Sequence, residues 1–298
     1  MKNKKLIVLG GPTAVGKTKF AIKLAKKIKS EIISADARQF YKELNIGVGK
    51  PNQKELHTIQ HHFIGHLSIE NNYSIGKYEK DGLVLLDELF KKYDTLILCG
   101  GSGLYIDAIT EGLNEFPKIN KLIREQLNHE FEVKGLNYLN QELKSVDKVT
   151  YDIIDKKNHR RIIRALEVYR SSGIPYSDYK KVDKNKRNFD TLFIALQEDR
   201  EFLYKKINER VDIMVNNGLI DEVKSLYKYR DKQALQTIGY QEIIRYINKE
   251  ISAHKAIEEI KKNTRRYAKR QINWFSKSKY QQYNSKQLNE VINLIKIK

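Results

Sequence analysis

Residues 11–18 read GPTAVGKT, the full G-x-x-x-x-G-K-[ST] pattern, and no other feature constrains the fold as strongly. The loop follows a short apolar run, Leu6 to Leu9, and opens a stretch (17–29) whose apolar residues Phe20, Ala21, Leu24 and Ile28 recur at helical spacing. Strand, glycine loop, helix is the order in which a backbone can wrap a phosphate. Glycines allow close approach, and the N–H groups of the loop and helix start point at the anion. Lys17 supplies positive charge to the distal phosphate oxygens, and the Thr18 hydroxyl can ligate Mg²⁺. The pattern predicts a bound di- or triphosphate held by Gly11, Pro12, Thr13, Ala14, Val15, Gly16, Lys17 and Thr18, without being specific for ATP.

The surrounding chain reads as α/β. Residues 31–35 are a second strand candidate, and 76–92 are helical through Tyr78, Leu85, Leu86 and Leu89. Residues 95–99 form a third apolar run, closed by Gly100 and Gly101. Apolar rather than alternating strands predict a parallel sheet covered by helices on both faces, a P-loop NTPase-like fold. From about 118 the composition shifts to charged, amphipathic helical stretches, and 191–196 (TLFIAL) reads as a strand returning to the sheet. Helices are expected at 200–216, 219–229, 240–248 and 252–276. The expected division is a first part of the core (1–117), a helical insertion (118–188), and a return strand with C-terminal helices (189–298).

The usual second half of a nucleotide hydrolase, an apolar strand ending in Asp, is met only loosely by residues 31–36 (EIISAD). Asp36 at that strand's end is better placed to handle a proton on an acceptor. Charge points to the acceptor's class: Lys plus Arg is 56 against 37 Asp plus Glu, a net +19. That balance fits a polyanionic partner such as a nucleic acid, or else a lysine-rich surface kept for solubility. The stretch 255–279 is basic, with only Glu258 and Glu259 opposing, and its Tyr267, Trp274 and Phe275 suggest an RNA-facing helix with one packed side. Trp274 itself reads as core. The single cysteine, Cys99, excludes a disulfide framework and any cysteine-based zinc site. His57, His61, His62 and His66 crowd together, which reads as a loop beside the active site rather than a metal centre. No apolar run approaches the roughly 20 residues of a membrane span, and the apolar stretch behind the basic start is too short for a signal-peptide core. A cytoplasmic monomer is expected.

Several blocks line up in order: GPTAVGKT (11–18), ISADARQFY (33–41), IGVGKP (46–51), HHF (61–63), LCGGSGLY (98–105), RRIIRALEV (160–168), RVDIMVNNGLIDEV (210–223) and TRRYAKRQINW (264–274). Together they resemble the tRNA dimethylallyltransferase (tRNA isopentenyltransferase) family over nearly the whole chain. The resemblance implies transfer of a dimethylallyl group from dimethylallyl diphosphate to N6 of adenosine 37, in tRNAs reading codons that begin with U. It further implies Asp36 as the base at N6, Thr13 between diphosphate and base, Arg210 as a diphosphate clamp, and Mg²⁺ with Thr18 as protein ligand. Asp36, Ala37, Arg38 and Gln39, together with Ser102, Arg160, Arg161 and Arg164, match tRNA-contacting positions. Local sequence alone also allows Asp36 as a helix cap, Arg210 as a surface charge and Thr13 as a turn residue.

The chain departs from the family pattern in places. Ser102 stands where Thr is commoner, Ala37-Arg38 where Ser and an aliphatic residue are more usual, and Gly47-Val48-Gly49 where Gly-Thr-Ala is. These leave every expected catalytic group in place and leave the acceptor loop's contacts open. No zinc-finger extension like that of eukaryotic relatives is found, so a bacterial-type enzyme is expected. Rival readings are an adenylate isopentenyltransferase acting on free AMP, ADP or ATP, a P-loop small-molecule kinase, and an RNA-binding module with a decayed loop. The first has no use for the basic surface or the insertion, and the last conflicts with the intact Thr13, Lys17, Thr18 and Asp36.

Overall fold

A computed structural model describes residues 4–180 and 186–297. In chain order it runs β1 (Lys5–Gly10), α1 (Lys17–Ile28), β2 (Ile32–Ser34), α2 (Gln53–Thr58), β3 (His61–His62), α3 (Ile75–Leu89), β4 (Thr95–Cys99) and α4 (Gly103–Thr110). Then come α5 (Lys121–Val146), α6 (Lys148–Ile153), α7 (His159–Ser172) and α8 (Tyr176–Tyr179), all helical. The chain returns with β5 (Asp190–Leu196), α9 (Arg200–Asn216), α10 (Leu219–Ser225), α11 (Tyr240–Ile247), α12 (Ala253–Phe275), β6 (Gln281–Tyr283) and α13 (Leu288–Ile297).

The six strands form one parallel sheet in the order β3-β2-β4-β1-β5-β6. β1 lies near the centre, and Leu6, Ile7, Val8 and Leu9 are all fully buried, alternately in the cores on the two faces. That explains why the strand is apolar throughout instead of alternating. One face carries Phe20, Leu24, Leu203 and Ile207 from α1 and α9, and the other Tyr78, Leu86 and Ile106 from α3 and α4.

Two edge strands escape the apolar-run criterion. β3 is the dipeptide His61–His62 against β2, and β6 (QQY) pairs with the end of β5 through its backbone. The histidine segment is therefore sheet edge: His62 Nε2 lies 2.6 Å from Glu31, His61 Nδ1 lies 2.7 Å from the Ile59 carbonyl, and His66 packs edge-on against Phe40, Phe63 and Tyr73. The helix expected over 219–229 ends at Ser225, and Tyr227–Tyr229 continue as a 3₁₀ turn.

The chain divides into two units, Met1–Thr110 with Arg187–Lys298, and Glu111–Lys186. The second unit packs Leu127, Leu139, Leu143, Ile162 and Leu166 into its own core. Its longest helix, α5, breaks at Gly135, whose φ of 77° no β-carbon-bearing residue adopts cheaply.

Candidate active site

β1 feeds β2 on one side of the sheet, whereas the later strand β5 joins β1 on the other. The reversal lies between β1 and β4, and in parallel sheets a crevice opens there beyond the carboxyl ends of the strands. Here the loops after β1, β2 and β4 are stitched together. Gly100 N–H donates to Leu9 O (3.2 Å), Ala35 N–H to Cys99 O (2.8 Å), and Ser102 N–H to Ala35 O (3.2 Å). The crevice deepens into a cavity of about 1640 Å³ whose lining, among the described residues, comes from the first unit. That exceeds the few hundred to about 1,000 Å³ of an ordinary small-molecule pocket.

The glycine loop forms one wall. Ala14 (φ 64°) and Gly16 (φ 100°) turn the chain left-handed, so α1 begins without a side-chain cap and with its first N–H groups open to the cavity. Thr13, Ala14, Val15, Gly16, Lys17 and Thr18 line the cavity. Gly11 and Pro12 are buried behind them, and their carbonyls accept from Lys17 Nζ at 2.8 and 2.7 Å. Burial depresses the Lys17 ammonium to about 8, with Cys99 and Asp36 opposing the shift and Arg210 adding to it. Burial also pushes the neighbouring Cys99 thiol up to about 12, leaving it protonated and inert.

The second wall carries the carboxylate. Asp36 follows β2, and its Oδ1 accepts from the Arg38 N–H (3.1 Å), so it caps a turn and no helix begins there. Ala37 N–H donates to Ser102 Oγ (3.3 Å), joining this turn to the one after β4. The Arg38 guanidinium donates to Gln233 O (3.0 Å) and Gln236 O (3.3 Å), and Gln39 Nε2 to Gly49 O (3.2 Å). Asp36, Ala37, Arg38, Gln39 and Ser102 all line the cavity.

Arg210 enters from α9, half-buried and facing the cavity rather than solvent. Burial lowers its pKa, and the Asp36 charge counteracts this. Its guanidinium lies on Gly49, where an added Cβ would meet Nη2 at 1.8 Å, so a side chain there would displace the guanidinium as well as strain a backbone at φ 56°. The loop bearing Gly49 is held from α10: Glu222 accepts from the N–H groups of Asn45, Ile46 and Gly47 (3.2, 2.8 and 3.1 Å) and from Tyr240 Oη (2.5 Å). Lys50 Nζ closes the same loop on the carbonyls of Tyr41 and Lys42.

The third wall is α12. Ile260, Thr264, Tyr267 and Gln271, one helical face, line the cavity together with Arg270. Tyr267 stands beside Ser102, and burial, seconded by Asp36, pushes its phenol up to about 12, with Ser102 opposing the shift. Neither Gln271 nor Glu222 stands out in the sequence. The 260-264-267-271 period marks only the face of α12 that carries Gln271, hidden beneath the basic composition of that helix, and nothing local marks Glu222. Several basic residues of the stretch 255–279 are engaged in ion pairs or hydrogen bonds, Lys261 with Asp212, Arg265 with Asn208 and Lys279 with Asp107. Trp274 packs against the start of α4, over Gly103.

Arg160, Arg161 and Arg164 are on α7 of the second unit. Arg160 and Arg161 are exposed. Arg164 is tethered: it donates to the fully buried Glu167 (2.6 Å) and lies over Phe116, while Arg124 grips both Glu167 oxygens at 2.5 Å.

These observations define a class, a parallel α/β protein in which a phosphate-loop motif and a carboxylate share one cavity with two half-buried cations. A family model described as IPP transferase matches residues 39–278. The tRNA dimethylallyltransferase of Christiangramia forsetii is 47% identical over 91% of this chain and 90% of its own, and that of Flavobacterium johnsoniae 45% over 98% and 97%. Among solved structures, the tRNA isopentenylpyrophosphate transferase of Bacillus halodurans is similar at a TM-score of 0.73 and 34% identity, covering 98% of this chain and 96% of that one. A eukaryotic dimethylallyltransferase described as acting on tRNA reaches a TM-score of 0.81 at 26% identity, over 95% and 74%. The chain belongs to the IPP transferase family.

Proposed function

We propose that this protein transfers the dimethylallyl group of dimethylallyl diphosphate to N6 of adenosine 37 in tRNAs reading codons that begin with U, releasing diphosphate. The observation that carries the reading is the opposition of Asp36 to Lys17 and Arg210 across one cavity, a proton acceptor facing two cations. tRNA prenylation is also the activity named for relatives sharing 45–47% of their residues over most of the chain.

The chemistry needs both groups. The lone pair of an adenine amine is delocalised into the ring, so N6 attacks an allylic carbon only if its proton is taken as the bond forms. N6 bonds to C1 of the prenyl chain, the C1–O bond breaks, its electron pair leaves with the diphosphate, and the N6 proton passes to the Asp36 carboxylate. Lys17, Arg210 and the open N–H groups at the start of α1 stabilise the charge gathering on diphosphate. The loop also suits Mg²⁺: Thr18 offers one hydroxyl, and among the described residues no group of three or more His, Cys, Asp or Glu is placed to hold a metal. Mg²⁺ takes few protein oxygens and completes its shell with water and substrate phosphates, and would add charge neutralisation to the leaving group.

A base stacked in an anticodon loop presents no N6 to a buried carboxylate, so the nucleotide must be extruded into the cavity, whose volume leaves room for it beside the donor. The protein is read as a cytoplasmic monomer; among the described residues no helix is long and apolar enough to cross a membrane. The test is transfer from labelled dimethylallyl diphosphate with Mg²⁺, to an anticodon stem-loop and, separately, to AMP. Label in the RNA alone supports the reading. Label in AMP, or in neither, overturns it.

A further inference from the structure

Gln271 is 5% exposed, and its carboxamide is divided between two walls of the cavity. Oε1 accepts from the Thr13 N–H at 2.8 Å, and Nε2 donates to the Gly101 carbonyl at 2.9 Å. In a phosphate loop a backbone N–H ordinarily turns toward the anion. At Thr13 it is turned to Gln271, while the residue still lines the cavity. Gly101 precedes Ser102, which binds the Ala37 N–H next to Asp36. The approach is so close that a Cβ on Gly101 would lie 2.2 Å from Nε2. One helical turn earlier on α12, Tyr267 stands beside Ser102 itself.

We propose that Gln271 is a positioning residue for the transfer: its single amide sets the donor loop at Thr13 and the acceptor turn at Gly101-Ser102 at a fixed separation. The role rests on the prenyl-transfer reading. It demands an amide, because one side chain must accept at one end and donate at the other while buried. Glutamate can serve Thr13 but leaves the Gly101 carbonyl facing an acceptor, and methionine serves neither. A fixed separation bears on the step in which C1 moves from diphosphate to N6, where misplacement of reacting groups by an ångström is costly. It bears little on how tightly either substrate is held.

The experiment measures prenyl transfer to an anticodon stem-loop by full-length Gln271→Met and Gln271→Glu, with RNA-binding stoichiometry used to count correctly folded molecules. Both are expected to lose about 10- to 100-fold in kcat per RNA-binding site, with the Kd for RNA unchanged. Gly101→Ala, which displaces the amide by its added methyl, is expected to cost much in the parent and little more in Gln271→Met. Full turnover per RNA-binding site by either variant overturns the proposal, as does a loss that follows the count of folded molecules. If Gln271→Met does not fold, Gln271→Glu decides. If neither folds, Gln271 is a structural residue and the proposal falls. An inactive parent overturns the prenyl-transfer reading and this role together, whereas an active parent with active variants overturns this role alone.

Discussion

Asp36 is the group we propose as the base at N6. Its backbone is fixed by a turn and its charge acts on both Lys17 and Arg210. Asp36→Ala is expected to lower kcat by about 10²- to 10⁴-fold, the usual worth of a general base, while the Kd for a stem-loop RNA stays near that of the parent. An equal loss of RNA binding refutes its role as base. Lys17 yields a pH prediction. Burial holds its ammonium near 8, so it is charged below that pH and loses its proton as the pH rises through it. Diphosphate favours the charged form, so binding above pH 8 takes up a proton. Affinity for diphosphate is expected to be flat below 8 and to fall toward one log unit per pH unit above it. Calorimetric titrations from pH 6.5 to 9.5 in buffers of different ionisation enthalpy check both the slope and the proton uptake.

Among the elements, α10 and α12 act on the site through others. Glu222 on α10 holds three N–H groups of the loop whose Gly49 lies under Arg210. Glu222→Ala strands those donors and frees the loop, and is expected to raise the KM for dimethylallyl diphosphate about 10-fold, as loss of a charged acceptor for several donors does. Steady-state kinetics at saturating RNA measure it, and an unchanged KM refutes the link from α10 to Arg210. These elements also mark what the sequence makes legible. Leu6 to Leu9, Asp36 and residues 95–99 advertise themselves because burial on both faces and a rigid loop motif leave a local trace. β3 and β6 leave none, since a two- or three-residue edge strand is held by backbone bonds that any side chain permits. Gln271 and Glu222 are silent for a related reason: each works by meeting backbone groups distant in sequence, and no local spacing encodes that meeting. Arg164 was legible as a basic residue, but not as one tethered to a buried carboxylate, because Glu167 sits only three positions away and reads as an ordinary helical pair.

For the molecule as a whole, a net charge of +19 implies an electrostatic share in RNA binding. We propose that the exposed Arg160 and Arg161 belong to that share; if so, replacing either by Ala is expected to reduce the slope of log K against log salt by about 1, the signature of one lost phosphate contact. Filter binding across salt concentrations reads this directly, and an unchanged slope excludes the contact. The division of the chain yields a second prediction. Where the first unit resumes, Arg187 donates to the carbonyls of Ala108 (2.7 Å) and Ile109 (2.9 Å) and to Glu79 (2.6 Å), all within that unit. Joining Thr110 to Arg187 by a short glycine-serine linker is expected to leave a cooperatively melting protein that still binds diphosphate. A protein that no longer melts cooperatively refutes the independence of the first unit.

That arginine bears on how such a protein changes over generations. Because Arg187 ties the departing and returning strands of chain at one point, residues between them can lengthen, shorten or be exchanged without altering the register of a single β-strand. The unit that holds the phosphate-loop motif and Asp36 is thus closed on itself at the point where the other is spliced in.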